Sequence, residues 1–456
     1  MKKSNLLFML AAGALTLTAC SNDDPIAKEG NGAGNDAQQI VLQVANGGDA
    51  LTTRAGRPLL SSEAKQSIEN VHIIITTTDG TVVDHQNVEN WNTESTPYTG
   101  SSNGREKIVT LNKKLEAGTY RIYAVGHSNS TAYTFEDQGT KKFGPNAILT
   151  MTKSGDKTVA EEIFAGSVDQ TVEAGKGFRP TIVLHRQVAG IFTYMSNIPY
   201  YHEGNADKGV TGTQLRLYAV ANSPKLVLGN FISQELMANG TNTTTNVING
   251  AGQTTEKTLI YTIELNKWFK TIKDANNDRL IDTYETEEGQ FDNWQNPYKK
   301  ATSDGKTYYE STFVKGSVFG GEFIIPFKSV ADNNTFVLEM TNDDGSHSFQ
   351  SWVIKLGTSD TPATSATIWT EDAFSPSSEL KDTETSYSVF RNHLYGVGTK
   401  VKDGETSPEQ PDPEQPDPNP EKPEPDTNTP TPIDKKQELT LRVNDNWEII
   451  HHMEIE

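Results

Sequence analysis

The sequence predicts an all-β chain, built as two antiparallel sandwiches in tandem and followed by a separate C-terminal strand. Short β-branched and aromatic runs recur between turn signals along most of the 456 residues. No window of helical length carries a sustained apolar stripe. Many strands without intervening helices favour antiparallel sandwiches, and the chain is too long for one. Composition narrows the classes further. A formal charge of −20 repels phosphate and argues against nucleic-acid partners. The single cysteine excludes an intrachain disulfide and any two-cysteine metal or redox site.

Residues 1–19 read as a signal peptide. Lys2 and Lys3 precede an apolar run, Leu6 to Leu17, that is too short to span a bilayer. The run ends in Leu17-Thr18-Ala19-Cys20, the lipobox pattern of bacterial lipoproteins, so Cys20 is the expected lipidation (palmitate) site. Ser21-Asn22-Asp23-Asp24 resembles the acidic tether of surface-exported lipoproteins in Bacteroidetes. Residues 20–54 form an expected propeptide, its first part a Gly/Asn/Asp-rich leader. Within it, Gln39–Ala45 reads as a strand with Ile40, Leu42 and Val44 on one face. Arg54 follows among small polar residues, where an Arg-specific protease can reach the Arg54–Ala55 bond, and Arg57 is a second candidate. Cutting there would release a plug strand and leave a hydrophobic groove, whose expected lining includes Ile73, Ile75 and Val125.

The first sandwich is expected over 55–187, with strands at Val71–Thr78, Lys107–Leu111, Tyr120–Val125 and Thr181–Leu184. The second, over 188–402, is expected to hold strands at Gln214–Val220, Thr258–Leu265, Gly321–Phe327, Thr335–Thr341 and Trp352–Leu356. Ser61–Asn70 and Asn266–Lys273 read as short helical turns. The boundary falls near Leu184-His185-Arg186-Gln187-Val188-Ala189.

Residues 403–434 read as a spacer. Ten of the chain's 21 prolines lie between Pro408 and Pro432, interleaved with acids. Such a segment favours extended polyproline II and spans roughly 75 Å. In the final segment, 435–456, the odd positions Leu439, Leu441, Val443, Trp447, Ile449, Met453 and Ile455 place seven apolar residues on one face of a long strand. A strand of this kind needs ladder partners. Its spacer holds it away from its own domains, which points to donation into another molecule by β-strand addition.

Together these features resemble the stalk fimbrillins of the type V pili of Bacteroidales, the minor-fimbrium type in particular. The resemblance rests on the lipobox at Cys20, on Thr53-Arg54-Ala55-Gly56 and on Leu115-Glu116-Ala117-Gly118-Thr119-Tyr120-Arg121-Ile122-Tyr123-Ala124. It rests also on residues 184–189, Arg391-Asn392-His393-Leu394-Tyr395, the spacer, and a last strand with Trp447 ending Met453-Glu454-Ile455-Glu456. It implies two transthyretin-like sandwiches, export as an outer-membrane lipoprotein, Arg cleavage at the cell surface, and donor-strand polymerisation into extracellular fimbriae. The partners it implies are other copies of the chain, an Arg-specific surface protease, and anchor and tip fimbrial subunits. The role it implies is a fimbrial shaft supporting adhesion and biofilm formation.

An enzyme is the less favoured reading. Ser62-Glu63-Ala64-Lys65 matches one β-lactamase element without its companions. No His-Glu-x-x-His occurs, and the adjacent pair His451-His452 reads as strand residues. The stronger rival is a surface lipoprotein binding host or dietary glycans, with Trp91, Trp268, Trp294 and Trp369 as stacking platforms. No cofactor is required by either reading. One loop has calcium spacing: Asp274, Asn276, Asp278, Asp282 and Glu285 stand at loop positions 1, 3, 5, 9 and 12, and Leu280 offers its carbonyl at position 7. Arg279 departs from this pattern at position 6, where glycine normally makes the turn.

Overall fold

The computed structural model describes residues 37–44, 68–97, 105–127, 133–135, 143–144, 148–151, 153–154, 157–158, 161–205, 209–228, 247–284, 293–303, 306–309, 313–328, 335–356, 365–368, 378–381, 388–400, 428–434 and 438–444. These are almost entirely strands and turns; the helices Trp91–Glu94 and Leu265–Trp268 are single turns. The second of them falls where a helical turn is expected, whereas Asn70, placed in a turn by the sequence, opens a strand. Among the described residues no helix is long and apolar enough to cross a membrane.

The first sheet takes β1 (Gln39–Val44), β2 (Asn70–Thr77), β3 (Val82–Val88), β4 (Thr96–Pro97), β5 (Arg105–Thr110), β6 (Gly118–His127), β7 (Ile163–Val172) and β8 (Thr181–Arg186). Its eight strands run in the order β3-β2-β6-β7-β8-β1-β5-β4. The sheet curls until its ends meet: the Gln86 amide on β3 donates to the Thr110 carbonyl (3.3 Å) and accepts from the Asn112 amide (3.0 Å). Inside the curl lies one core, with Ile40, Leu42, Val71, Ile73, Ile75, Trp91, Ile122, Ala124, Phe164, Ile182 and Leu184.

The second sheet holds β9 (Ala189–Ser196), β10 (Gln214–Ala219), β11 (Thr258–Glu264), β12 (Val318–Ile324), β13 (Phe336–Thr341), β14 (Ser348–Leu356), β15 (Leu394–Val397) and β16 (Glu438–Asn444). They run β12-β9-β15-β16-β14-β13-β10-β11, and the sheet has 11 strands with the short pieces Lys153–Ser154, Lys157–Thr158 and Thr431–Pro432. Its core includes Ile191, Tyr194, Leu215, Leu217, Phe336 and Trp352.

Part of the outer face of the first sheet is covered by the second body. Ile74, Tyr123, Val125, Ile163 and Ala165 join the second core. Successive residues of a strand face opposite sides, so Ile122 and Ala124 serve one core while Tyr123 and Val125 serve the other. Val125 is therefore not a lining residue of the first core, a correction to the expected groove; Ile73 and Ile75 do lie in it. The two bodies also exchange chain, since Ile148–Met151 pairs with Lys225–Val227, and Lys157 lies beside Leu259 of β11.

The end of the proline-rich segment is part of the fold and not of the spacer. Asn428–Thr429 pairs with Thr399–Lys400, and Thr431–Pro432 runs parallel to the end of β9. Ile433 is fully buried and its amide donates to the Ser196 carbonyl (3.1 Å), while Asp434 accepts from the Asn197 amide nitrogen (3.2 Å). Pro432 pairs with Ser196 at the end of β9, a strand-edge position where a missing amide donor costs least.

Candidate functional site

β1 holds an interior position that it alone fills. It runs parallel to β8, with Val41 opposite Thr181 and Val44 opposite Leu184, and antiparallel to β5, with Gln39 opposite Thr110 and Val44 opposite Arg105. Ile40, Leu42 and Val44 are 0%, 0% and 1% exposed. The alternate positions stay at the rim, where Gln39 donates to the Thr110 hydroxyl (3.2 Å) and Gln43 to the Glu106 carboxylate (3.1 Å). Gln38 pins the start of the strand through a reciprocal pair, its amide donating to the Leu115 carbonyl (3.0 Å) and accepting from the Leu115 amide (2.7 Å). Burying three such side chains is worth ~1.5–3 kcal/mol each. Without β1, the edges of β8 and β5 would lack a shared partner above an apolar trough lined by Ile182, Leu184 and Val109. The proposed cut at Arg54, with Ala55, Arg57 and Cys20, lies outside the described residues.

β16 contains Leu439, Leu441 and Val443; Trp447, Ile449, Met453 and Ile455 lie outside the described residues. The sequence places this strand away from its own domains, and here the structure differs. Glu438 to Leu441 run parallel to Val353–Leu356 of β14, and Arg442 to Asn444 run antiparallel to Leu394–Gly396 of β15. A strand with unsatisfied ladder groups takes the nearest open pair of edges, and its own second sheet offers one. Both strands thus sit between one parallel and one antiparallel neighbour. Their sequences also match in pattern: Gln39-Ile40-Val41-Leu42-Gln43-Val44 against Glu438-Leu439-Thr440-Leu441-Arg442-Val443. Each offers aliphatic residues at alternate positions and polar ends on the other face.

The two motifs at 184–189 and 391–395 meet in space. Arg186 and Glu162 form an ion pair at 2.6 Å, both buried, with the guanidinium over the Phe164 ring. Arg186 also reaches the Asn392 side-chain oxygen (3.4 Å), and Arg391 donates to the Gln187 side-chain oxygen (3.1 Å). The Asn392 amide donates to the Val188 carbonyl and the Gly190 amide to the His393 carbonyl. Burial pulls the His393 pKa down to about 4, so this imidazole is neutral at physiological pH. These contacts fasten the start of β9 to β15 and fix the seam between the bodies.

The loop over 274–284 closes on itself. Asp274 accepts from the amides of Asp278 (3.1 Å) and Arg279 (3.0 Å), Asp278 from that of Leu280 (2.8 Å), and Asp282 from that of Ala275 (2.9 Å). Arg279 has φ 69°, so the left-handed turn expected of glycine is made here by arginine. Ile281 is buried and anchors the loop to Ile198. The donor set is all oxygen, which suits a hard cation. Among the described residues, however, no three His, Cys, Asp or Glu side chains are grouped as metal ligands; Glu285 lies outside them.

Tryptophans that would stack on sugars are instead core residues. Trp91, Trp268 and Trp294 are all buried, and the Trp294 indole donates to the Ser317 carbonyl (2.7 Å). Trp369 lies outside the described residues. Amphipathic aromatics look alike in sequence whether they face a ligand or a core.

The fold and this site define an all-β protein built on two large joined sheets, with β1 as an interior strand of the first and a strand of the same pattern, β16, in the second. No protein-family model matches the chain, and no curated protein matches it. Several solved structures overlap it at low identity. A Bacteroides ovatus protein provisionally assigned as an adhesin shares 9% identity over 80% of this chain and 89% of its own, with a TM-score of 0.36. The fimbrial anchor protein Mfa2 from Porphyromonas gingivalis shares 8% over 69% and 81% (TM-score 0.32), and a fimbrial assembly protein from Parabacteroides distasonis 10% over 69% and 98% (TM-score 0.29). Likeness at this level leaves the functional reading to the chain's own residues.

Proposed function

We propose that this chain is a fimbrial shaft subunit, exported as a lipoprotein through Cys20 and polymerised after proteolysis at Arg54. The observation that carries this reading is the pair of matching strands. β1 is an interior strand joined to the body by a segment containing Arg54 and Arg57, and residues 438–443 repeat its alternation. Cleavage frees β1 with its lipid, and the C-terminal strand of the next copy enters between β8 and β5. Trp447, Ile449, Met453 and Ile455 extend the apolar face of the donor beyond β16. To donate, the strand first leaves its seat between β14 and β15, and residues 428–434 leave theirs beside Thr399–Lys400 and the end of β9, which frees the proline-rich segment to supply the reach. The chain acts as a structural subunit and not as an enzyme, and it meets copies of itself, anchor and tip subunits, and the protease. The buried tryptophans weigh against the glycan-binding alternative.

Treating the purified chain with an Arg-specific protease should yield fibres in negative-stain micrographs and an SDS-resistant ladder of multimers. The variant Arg54→Ala/Arg57→Ala should remain monomeric. Fibres from that variant would overturn the plug model.

On the same reading the loop from Asp274 to Glu285 binds calcium and stiffens the second body, with Arg279 already supplying the turn. The melting temperature should rise with millimolar calcium over that in chelator, by several degrees where free calcium is about 100-fold above Kd. Identical melting in both conditions would remove calcium from the account.

A further inference from the structure

Three histidines lie together on the outer face of the first sheet: His72 on β2, His85 on β3 and His127 on β6. They are diagonal neighbours on adjacent strands, for His72 stands opposite Asn87 and Val125, two residues along from His85 and His127. His72 Nδ1 is 2.9 Å from His85 Nε2, and His72 Nε2 is 2.9 Å from His127 Nε2. The His72 and His127 rings are 13° from parallel with centres 4.9 Å apart. Combined with the short nitrogen contact, this means that they meet edge to edge, with their in-plane lone pairs directed at one another.

We propose that His72 and His127 bind a late first-row divalent cation (copper, nickel or zinc) through their Nε2 atoms, with His85 as the positioning residue. When His72 donates its Nδ1–H to His85 Nε2, its Nε2 is left as a lone pair aimed at His127. A ligating histidine usually holds its other ring N–H against an acceptor in this way. The gap to His127 is then bridged in one of two ways. Either His127 carries its proton on Nε2 and donates it, or it takes the Nδ1–H tautomer and both lone pairs go to a cation. No net proton is released in that exchange between neutral tautomers. Metal–nitrogen bonds of about 2.0–2.1 Å in tetrahedral geometry set the two nitrogens about 3.4 Å apart. The rings must therefore separate by roughly half an ångström, within the freedom of sheet side chains. Imidazole nitrogen suits copper, nickel and zinc and does not suit calcium or magnesium.

The surroundings favour a cation that arrives with water on its remaining positions. His85 is exposed and the other two rings are half-buried, so solvent reaches the site. Asn70 and Asn87 on the same face carry no charge.

The test is calorimetric titration of the chelator-treated, full-length chain with zinc and with nickel. The background variant His451→Gln/His452→Gln removes the adjacent tail pair as a competing ligand and should keep one binding equivalent. Adding His127→Gln should remove that equivalent. His85→Gln should keep it with about 10–100-fold weaker affinity. Unchanged stoichiometry in His127→Gln, or no binding in the background variant, would overturn the site. Electron paramagnetic resonance of the background variant with one equivalent of copper gives a check that needs no substitution at the site itself. Two equatorial imidazole nitrogens are expected, and a spectrum with none refutes the assignment.

Discussion

Replacing Leu439 and Leu441 with Asp is expected to abolish fibre formation while leaving a folded, protease-cleavable subunit. The two leucines sit at the positions of β16 that correspond to Ile40 and Leu42 of β1, both fully buried in their own seat. In the groove between β8 and β5 each leucine would gain ~1.5–3 kcal/mol on burial. An aspartate there loses that gain and adds a desolvated, unpaired carboxylate at several kcal/mol more. The sum for two positions exceeds about 8 kcal/mol, or more than five powers of ten in strand affinity. Thr440→Ala, on the opposite face, should polymerise normally. Truncation after Asp434 should match the double Asp variant, because it keeps Ile433 in its buried seat and the Asp434–Asn197 hydrogen bond. Long fibres from the cleaved Asp variant in negative stain would refute the donor assignment.

The second large effect concerns the plug. Leu42→Ala should lower the melting temperature of the uncleaved chain by on the order of 10 °C, from a loss of about 2–5 kcal/mol at a fully buried leucine. After cleavage at Arg54 the same variant should melt with the wild type, since β1 has left. This difference separates a removable strand from an ordinary core strand. Equal destabilisation before and after cleavage, followed by calorimetry, would show that β1 stays in place and that proteolysis does not open the groove.

The strands were legible because their signal is local. A two-residue alternation fixes which side chains share a face, and it located β1, β2, β6, β8, β10, β11, β13 and the start of β16 in sequence to within a few residues. The alternation also carried the pattern shared by 39–44 and 438–443. What alternation cannot state is which of two cores a face meets. Val125 and Ile73 read alike in sequence, yet one lies between the bodies and the other inside the curl of the first sheet. Trp91, Trp268 and Trp294 failed as glycan platforms for the same reason, because burial is decided by what packs opposite.

The sequence by itself determined an all-β chain, its two aliphatic end strands and the polar loops between them. These follow from side-chain spacing and from proline and glycine chemistry, which act over a few residues. Only the tertiary structure decided that β1 is an interior strand between β8 and β5, that residues 438–444 occupy a seat between β14 and β15, and that the 184–189 and 391–395 motifs lock together. It also decided that three histidines from separate strands share one patch. Ladder partners and side-chain clusters join residues tens to hundreds of positions apart, and backbone groups pair with any edge of suitable direction. Their choice is therefore set by the free energy of the whole packed chain, which no local window of sequence contains.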